Sequence, residues 1–206
     1  MDRAVTQNFL RNPGLVSTLW EYVLVAIPDE EVTIKLLEVD RALERPSKRV
    51  NAQYKPYIKL AEFQARESME ETIIRWIQRV CNQQEGFKVT LNNYGGLPPS
   101  TIFVRIQDHS PFRALASRLQ VIDDYIQSNS CPPAKFYNKP NLRIGEQPPE
   151  SDYSRALFHY SQQDFHESFV VSELVLMKSR NVFEQLKQVN LFRLYPPDTH
   201  RKTEMA

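Results

Sequence analysis

Lys55-Pro-Tyr-Ile-Lys-Leu-Ala-Glu62 and Lys139-Pro-Asn-Leu-Arg-Ile-Gly-Glu146 read as one motif written twice. Three positions are identical, four are close substitutions, and only Tyr57 against Asn141 differs strongly. Eight residues can match by chance, so the weight lies in their setting. Each motif falls at the same place in two successive runs of the same predicted elements, which is the pattern of a duplicated structural unit.

The first run opens with Leu19 to Ile27, a β-branched and aromatic stretch that stops at Pro28 and predicts a buried strand. Asp29, Glu30 and Glu31 then supply an acidic first turn, and Val32, Leu36, Val39 and Leu43 recur at helical spacing up to Arg45-Pro46. A basic loop, Ser47 to Lys55, leads to an apolar run from Tyr57 to Phe63. An amphipathic helix follows from Glu67 to Gln84, with Met69, Ile73, Trp76, Ile77, Val80 and Cys81 on one face. Phe87 to Tyr94 alternates as a half-buried strand, and Gly95-Gly96 with Pro98-Pro99 are expected to break the chain in a tight turn.

The second run repeats the order. Strand Thr101 to Ile106, helix Ser110 to Gln127, a Pro-containing loop, strand Asn141 to Ile144, helix Asp152 to Gln163 and strand Ser168 to Lys178 follow in turn. The predicted fold is α+β, with duplicated β-α-β-α-β units forming two pseudo-symmetric lobes around a central cleft. Its parts are an N-terminal extension 1–18, a first lobe unit 19–94, a second lobe unit 101–180 and a C-terminal tail 181–206. That tail is expected to add a last strand at Leu191 to Tyr195 and no order beyond it.

Alternation on a strand puts Lys55, Tyr57 and Lys59 on one face and Ile58 and Leu60 on the other. Likewise Lys139, Asn141 and Arg143 share a face, backed by Leu142 and Ile144. Packing the two units with apolar backs inward would let the polar faces converge on one groove. Four cations and two neutral hydrogen-bonding groups suit a phosphate, with Arg143 gripping two oxygens in fork geometry and the lysines acting as point charges. The opposing reading is that these are solvated side chains of two separate edge strands.

A net charge of +1, from 26 Lys and Arg against 25 Asp and Glu, excludes a globally basic nucleic-acid binder, so anion binding must be local. No apolar run is long enough for a membrane span, and Met1 to Gly14 lacks the pattern of a secretory signal, so a cytoplasmic location without membrane partners is expected. The two cysteines, Cys81 and Cys131, form no CxxC pair, and His109, His159, His166 and His200 show no metal-ligand spacing. Neither a metal nor another cofactor is expected. Trp20, Tyr22, Phe87, Tyr94 and Phe103 read as core, whereas Tyr54, Tyr57 and Tyr137 flank the motifs and are candidates for stacking on a base.

A duplicated scaffold with one such strand motif per half resembles the two-histidine (2H) phosphoesterases, in particular their bacterial 2′-5′ RNA ligase-like and cyclic phosphodiesterase branch. The stretches EYVLVAIPDEEV (21–32), FKVTLNNYGGLPPSTIFVRI (87–106) and ELVLMKSR (173–180) are similar as well. The resemblance implies His-x-Thr/Ser within each motif and metal-independent chemistry on a 2′,3′-cyclic phosphate or 2′-5′ bond, one histidine acting as base and the other as acid. Here those positions read Tyr57-Ile-Lys59 and Asn141-Leu-Arg143. Tyrosine and lysine titrate near 10 and asparagine not at all, so no matched acid-base pair is expected near neutral pH. Three readings follow: a catalytically degenerate module binding a phosphate-bearing small molecule or RNA end; an active phosphodiesterase or ligase with a reassigned site at Tyr57 or Lys59; and a protein-interaction module retaining only the fold.

Overall fold

The computed structural model describes residues 19–41, 56–144, 148–180 and 186–196. The extension 1–18, the basic loop with Tyr54 and Lys55, Glu146 and the end of the tail lie outside the described residues.

Strand β1 (Leu19–Ala26) leads to helix α1 (Glu30–Arg41), whose start is capped by Asp29: its Oδ1 accepts the Val32 N–H at 2.9 Å. Strand β2 (Tyr57–Arg66) carries the first motif, and a short 3₁₀ turn joins it to α2 (Glu70–Cys81). Buried Ile73, Ile77, Val80 and Cys81 form the inner stripe of α2, as the 3.6-residue period requires. Strands β3 (Phe87–Leu97) and β4 (Thr101–Ile106) make a hairpin. Next come α3 (Ser110–Arg118), α4 (Gln120–Ser128), β5 (Lys135–Phe136) and β6 (Leu142–Arg143). The chain closes with α5 (Tyr153–Ser161), β7 (His166–Val171), β8 (Glu173–Ser179) and β9 (Lys187–Arg193).

Several expectations need correction. The strand predicted over 168–178 is two strands, β7 and β8, parted at Ser172, and the predicted loop 128–139 holds the short strand β5. The helix predicted over 110–127 is broken at Leu119, where the Ile122 N–H bonds to the Leu119 carbonyl three residues back. That tighter turn keeps Leu115, Leu119, Ile122 and Ile126 all inside the core. Gly95-Gly96 do not end β3 either; they pair with Phe103 and Ile102 of β4. Glycine is needed there because neighbours occupy the space of a side chain. A Cβ on Gly95 would lie 2.9 Å from the Phe103 ring, and one on Gly96 would collide with the Tyr153 hydroxyl of α5. The chain turns after them, at residues 98–100.

The strands form one curled antiparallel sheet in the order β7-β3-β4-β6-β2-β1-β8-β9, with β5 beside β2. This order is palindromic about the β6/β2 seam, so the duplicated strands β2 and β6, β1 and β4, and β3 and β8 stand as symmetric pairs. The units nevertheless interleave. β3, the third strand of the first unit, pairs with β4 and β7, while β8, the third strand of the second, pairs with β1. Chain 166–179 is nearly continuous and passes from one half to the other at Ser172, whose carbonyl accepts the Leu194 N–H at 2.8 Å. One core cluster joins Ile58, Leu142 and Val104 of the sheet to Ile77, Leu115 and Ile126 of the helices. No helix among the described residues is long and apolar enough to cross a membrane.

Candidate functional site

The two motif strands are not apart across a groove; they are hydrogen-bonded neighbours. Tyr57 pairs with Arg143 and Ile58 with Leu142. Facing residues of an antiparallel pair lie on the same side of the sheet, so Tyr57, Lys59, Asn141 and Arg143 emerge on one face. Ile58 and Leu142, both fully buried, lie on the other, against the helices. The expected convergence of polar faces is thus achieved by strand pairing rather than by packing two backs together. β6 makes this possible because it pairs on both edges, with β2 and with β4.

A bulge completes the first motif. Against β1, the register of β2 skips Leu60, so Leu24 faces Ala61 while Val25 faces Lys59. Leu60 and Ala61 are consequently both buried, and the alternation shifts by one residue. Lys59 and Glu62, three apart and otherwise on opposite faces, thereby share the open face, and their Nζ and Oε2 meet at 2.6 Å. Lys135 reaches the other Glu62 oxygen at 3.3 Å, and the Tyr137 hydroxyl donates to the same carboxylate. Burial works to raise the Glu62 carboxyl, but the bonds from Lys59, Tyr137 and Lys135 outweigh it and hold it at about 2. Tyr137 lies beneath both lysines, with its ring centroid 5.5 Å from Lys59 Nζ and 5.0 Å from Lys135 Nζ. Burial and the bond to Glu62 push its own hydroxyl upward.

The second motif is supported differently. Pro140 is buried and its carbonyl lies 3.1 Å from Nε2 of His109, at the head of α3, which pins the approach to Asn141. Lys139 and Arg143 are exposed and Asn141 is half-buried. Among the described residues, no side-chain hydrogen bond or ion pair engages Tyr57, Lys139, Asn141 or Arg143. Sequence reasoning places Phe103 in the core and does not single out Arg105. Phe103 faces Arg143 across the β4/β6 ladder, and Arg105 stands two residues further along β4 on the same face. Arg105 donates through Nε and Nη2 to the Tyr94 carbonyl at 3.0 and 2.6 Å, over the space left by Gly95. The exposed Arg between buried Val104 and buried Ile106 is the available sequence signal, visible only once β4 is known to border the motif.

A model of the 2′-5′ RNA ligase superfamily matches residues 33–182. The chain belongs to that superfamily. No curated protein is significantly similar in sequence. Among solved structures, a phosphoesterase aligns with a TM-score of 0.63 at 16% identity, covering 86% of this chain and 99% of the other. TT0787 of Thermus thermophilus aligns at 0.61 and 16%, covering 86% and 100%. E. coli LigT complexed with 3′-AMP aligns at 0.59 and 16%, covering 85% and 98%. These likenesses establish the fold.

Within the superfamily frame, the open face offers guanidinium and ammonium groups, an amide and a phenol. The Lys59 ammonium is already engaged by the Glu62 carboxylate at 2.6 Å. Among the described residues, no group of three or more His, Cys, Asp and Glu is placed to hold a metal.

Proposed function

We propose that the protein is a catalytically degenerate member of the superfamily that binds a phosphate-bearing small molecule or RNA end on the open face around Tyr57, Lys59, Lys139, Asn141 and Arg143. Lys55, outside the described residues, is the remaining member of the set. The observation that carries this reading is the register of the seam, with Tyr57 opposite Arg143 and both motifs on one face. LigT, of the same fold, has been solved with 3′-AMP, ATP, NADP+ and phosphate. An exposed arginine with no partner among the described residues is suited to grip two phosphate oxygens at once. Tyr57 and Asn141 supply no acid-base pair for turnover, and a missing general acid or base forfeits about 10²- to 10⁴-fold each.

A thermal-shift titration with 3′-AMP, ATP and inorganic phosphate tests binding, since a ligand that binds only the folded chain raises its Tm. The expected result is a salt-sensitive rise that Arg143→Ala abolishes. Equal shifts in the variant and the parent protein would remove the proposal. Turnover of 2′,3′-cyclic nucleotides between pH 6 and 10, lost in Tyr57→Phe, would instead establish the reassigned enzyme.

A further inference from the structure

The open face is symmetric in backbone but not in charge. On the β2 side, the cation Lys59 is already engaged by Glu62 at 2.6 Å, and Glu62 is shared with Lys135 and Tyr137. On the β4 side, no carboxylate answers Arg143 or Arg105 among the described residues. Arg143 faces Phe103 across the ladder, which makes Arg105 its diagonal neighbour, at roughly 7–8 Å between backbone positions. Both side chains are exposed and long enough to meet over one anion. Continuing the same register by one residue sets Asn141 between Arg105 and Lys59. Arg105 is also the better fixed of the two guanidiniums. Two of its five N–H groups are spent on the Tyr94 carbonyl, which orients the planar fork and leaves three for a ligand.

The geometry points to an off-centre anion subsite formed by Arg105 and Arg143, with Asn141 beside it, while Glu62 acts as an internal counter-anion that keeps Lys59 from the ligand. This rests on the binding reading above, adds Arg105 to its residues, and withdraws Lys59 from direct contact with the ligand through the restraining residue Glu62. The subsite fits a single terminal phosphate monoester. A polyphosphate chain extending toward β2 would meet the Glu62 carboxylate, which is ionised throughout the neutral range.

Calorimetric titration of the full chain with 3′-AMP, inorganic phosphate and ATP tests this. Arg105→Gln keeps a donor for the Tyr94 carbonyl and removes the charge; it is expected to weaken 3′-AMP and phosphate binding about 10- to 100-fold at unchanged Tm. Glu62→Gln releases Lys59 and is expected to strengthen ATP binding more than 3′-AMP binding, by several-fold. Wild-type affinity in Arg105→Gln, with binding lost in Arg143→Ala, overturns the off-centre subsite and leaves the binding reading standing. Equal effects of Glu62→Gln on ATP and 3′-AMP overturn the restraining role. Absence of binding by the parent protein to all three ligands overturns the binding reading itself, and the subsite with it.

Discussion

Glu62 shows how a single side chain sets the chemistry of a face. Its carboxyl sits at about 2, below the ordinary 4.5, so the folded state holds its proton more weakly than the unfolded state does. Its contribution to stability is therefore complete above about pH 4.5 and is lost as pH falls toward 2. The Tm gap between the parent protein and Glu62→Gln is expected to be widest at neutral pH and to close across that window. A gap independent of pH would show that the ion pairs contribute nothing measurable. Cys81 is the opposite case: burial pushes its thiol up to about 12, so almost no thiolate forms at neutral pH. Iodoacetamide at about pH 8 is expected to spare Cys81 in the folded protein and to modify it after denaturation. Rapid native labelling, read by peptide mass, would contradict its placement. Helical spacing alone puts Cys81 on an apolar face, and there it lies. The partners of Lys59 are beyond such reading, since they depend on a bulge that alternation does not announce.

Elements are fixed here as much by what covers them as by propensity. Gly95 and Gly96 read as chain breakers, yet they are strand residues whose missing side chains make room for Phe103, Arg105, Tyr153 and Leu157. Gly96→Ala is expected to destabilise the protein by about 1–3 kcal/mol, since the added methyl meets the Tyr153 hydroxyl and Leu157. For a chain of this size that corresponds to a fall in Tm of roughly 2–4 °C per kcal/mol. A neutral result would mean that α5 shifts freely over β3. The inner faces of helices, by contrast, are legible, because a buried stripe at 3.6 spacing leaves few alternatives, although their ends are not: the helix predicted over 67–84 spans Glu70–Cys81. α2 buries Ile73, Ile77, Val80 and Cys81, all expected inside. The kink at Leu119 leaves no mark in the sequence, since the apolar spacing on either side of it is that of an unbroken helix.

At the scale of the molecule, the exchange of third strands makes each half depend on the other. Among the described residues β3 has no partner strand in the first half and pairs with β4 and β7, both in the second. Separately produced chains 1–98 and 99–206 are therefore expected to be unfolded by circular dichroism, whereas the whole chain unfolds in a single transition. Two independent transitions in the intact protein would contradict the interleaving. Leu142, fully buried at the seam, belongs to the same cooperative unit. Leu142→Ala is expected to cost about 2–5 kcal/mol, read as a lower denaturation midpoint with an unchanged slope. Membership of the superfamily makes this fold a shared inheritance.

The sequence by itself determined the alternation of strands and helices in two runs, the helical inner faces and the polar side of each motif strand. Those properties follow from periodicity and local composition, which act within a few residues. Only the tertiary structure decided that the motifs pair edge to edge, that Arg105 joins them, that Glu62 engages Lys59 and that the halves trade strands. Strand pairing is a non-local choice: backbone hydrogen bonds carry no side-chain code, so the partner of β6 is selected by how the whole sheet closes over one core.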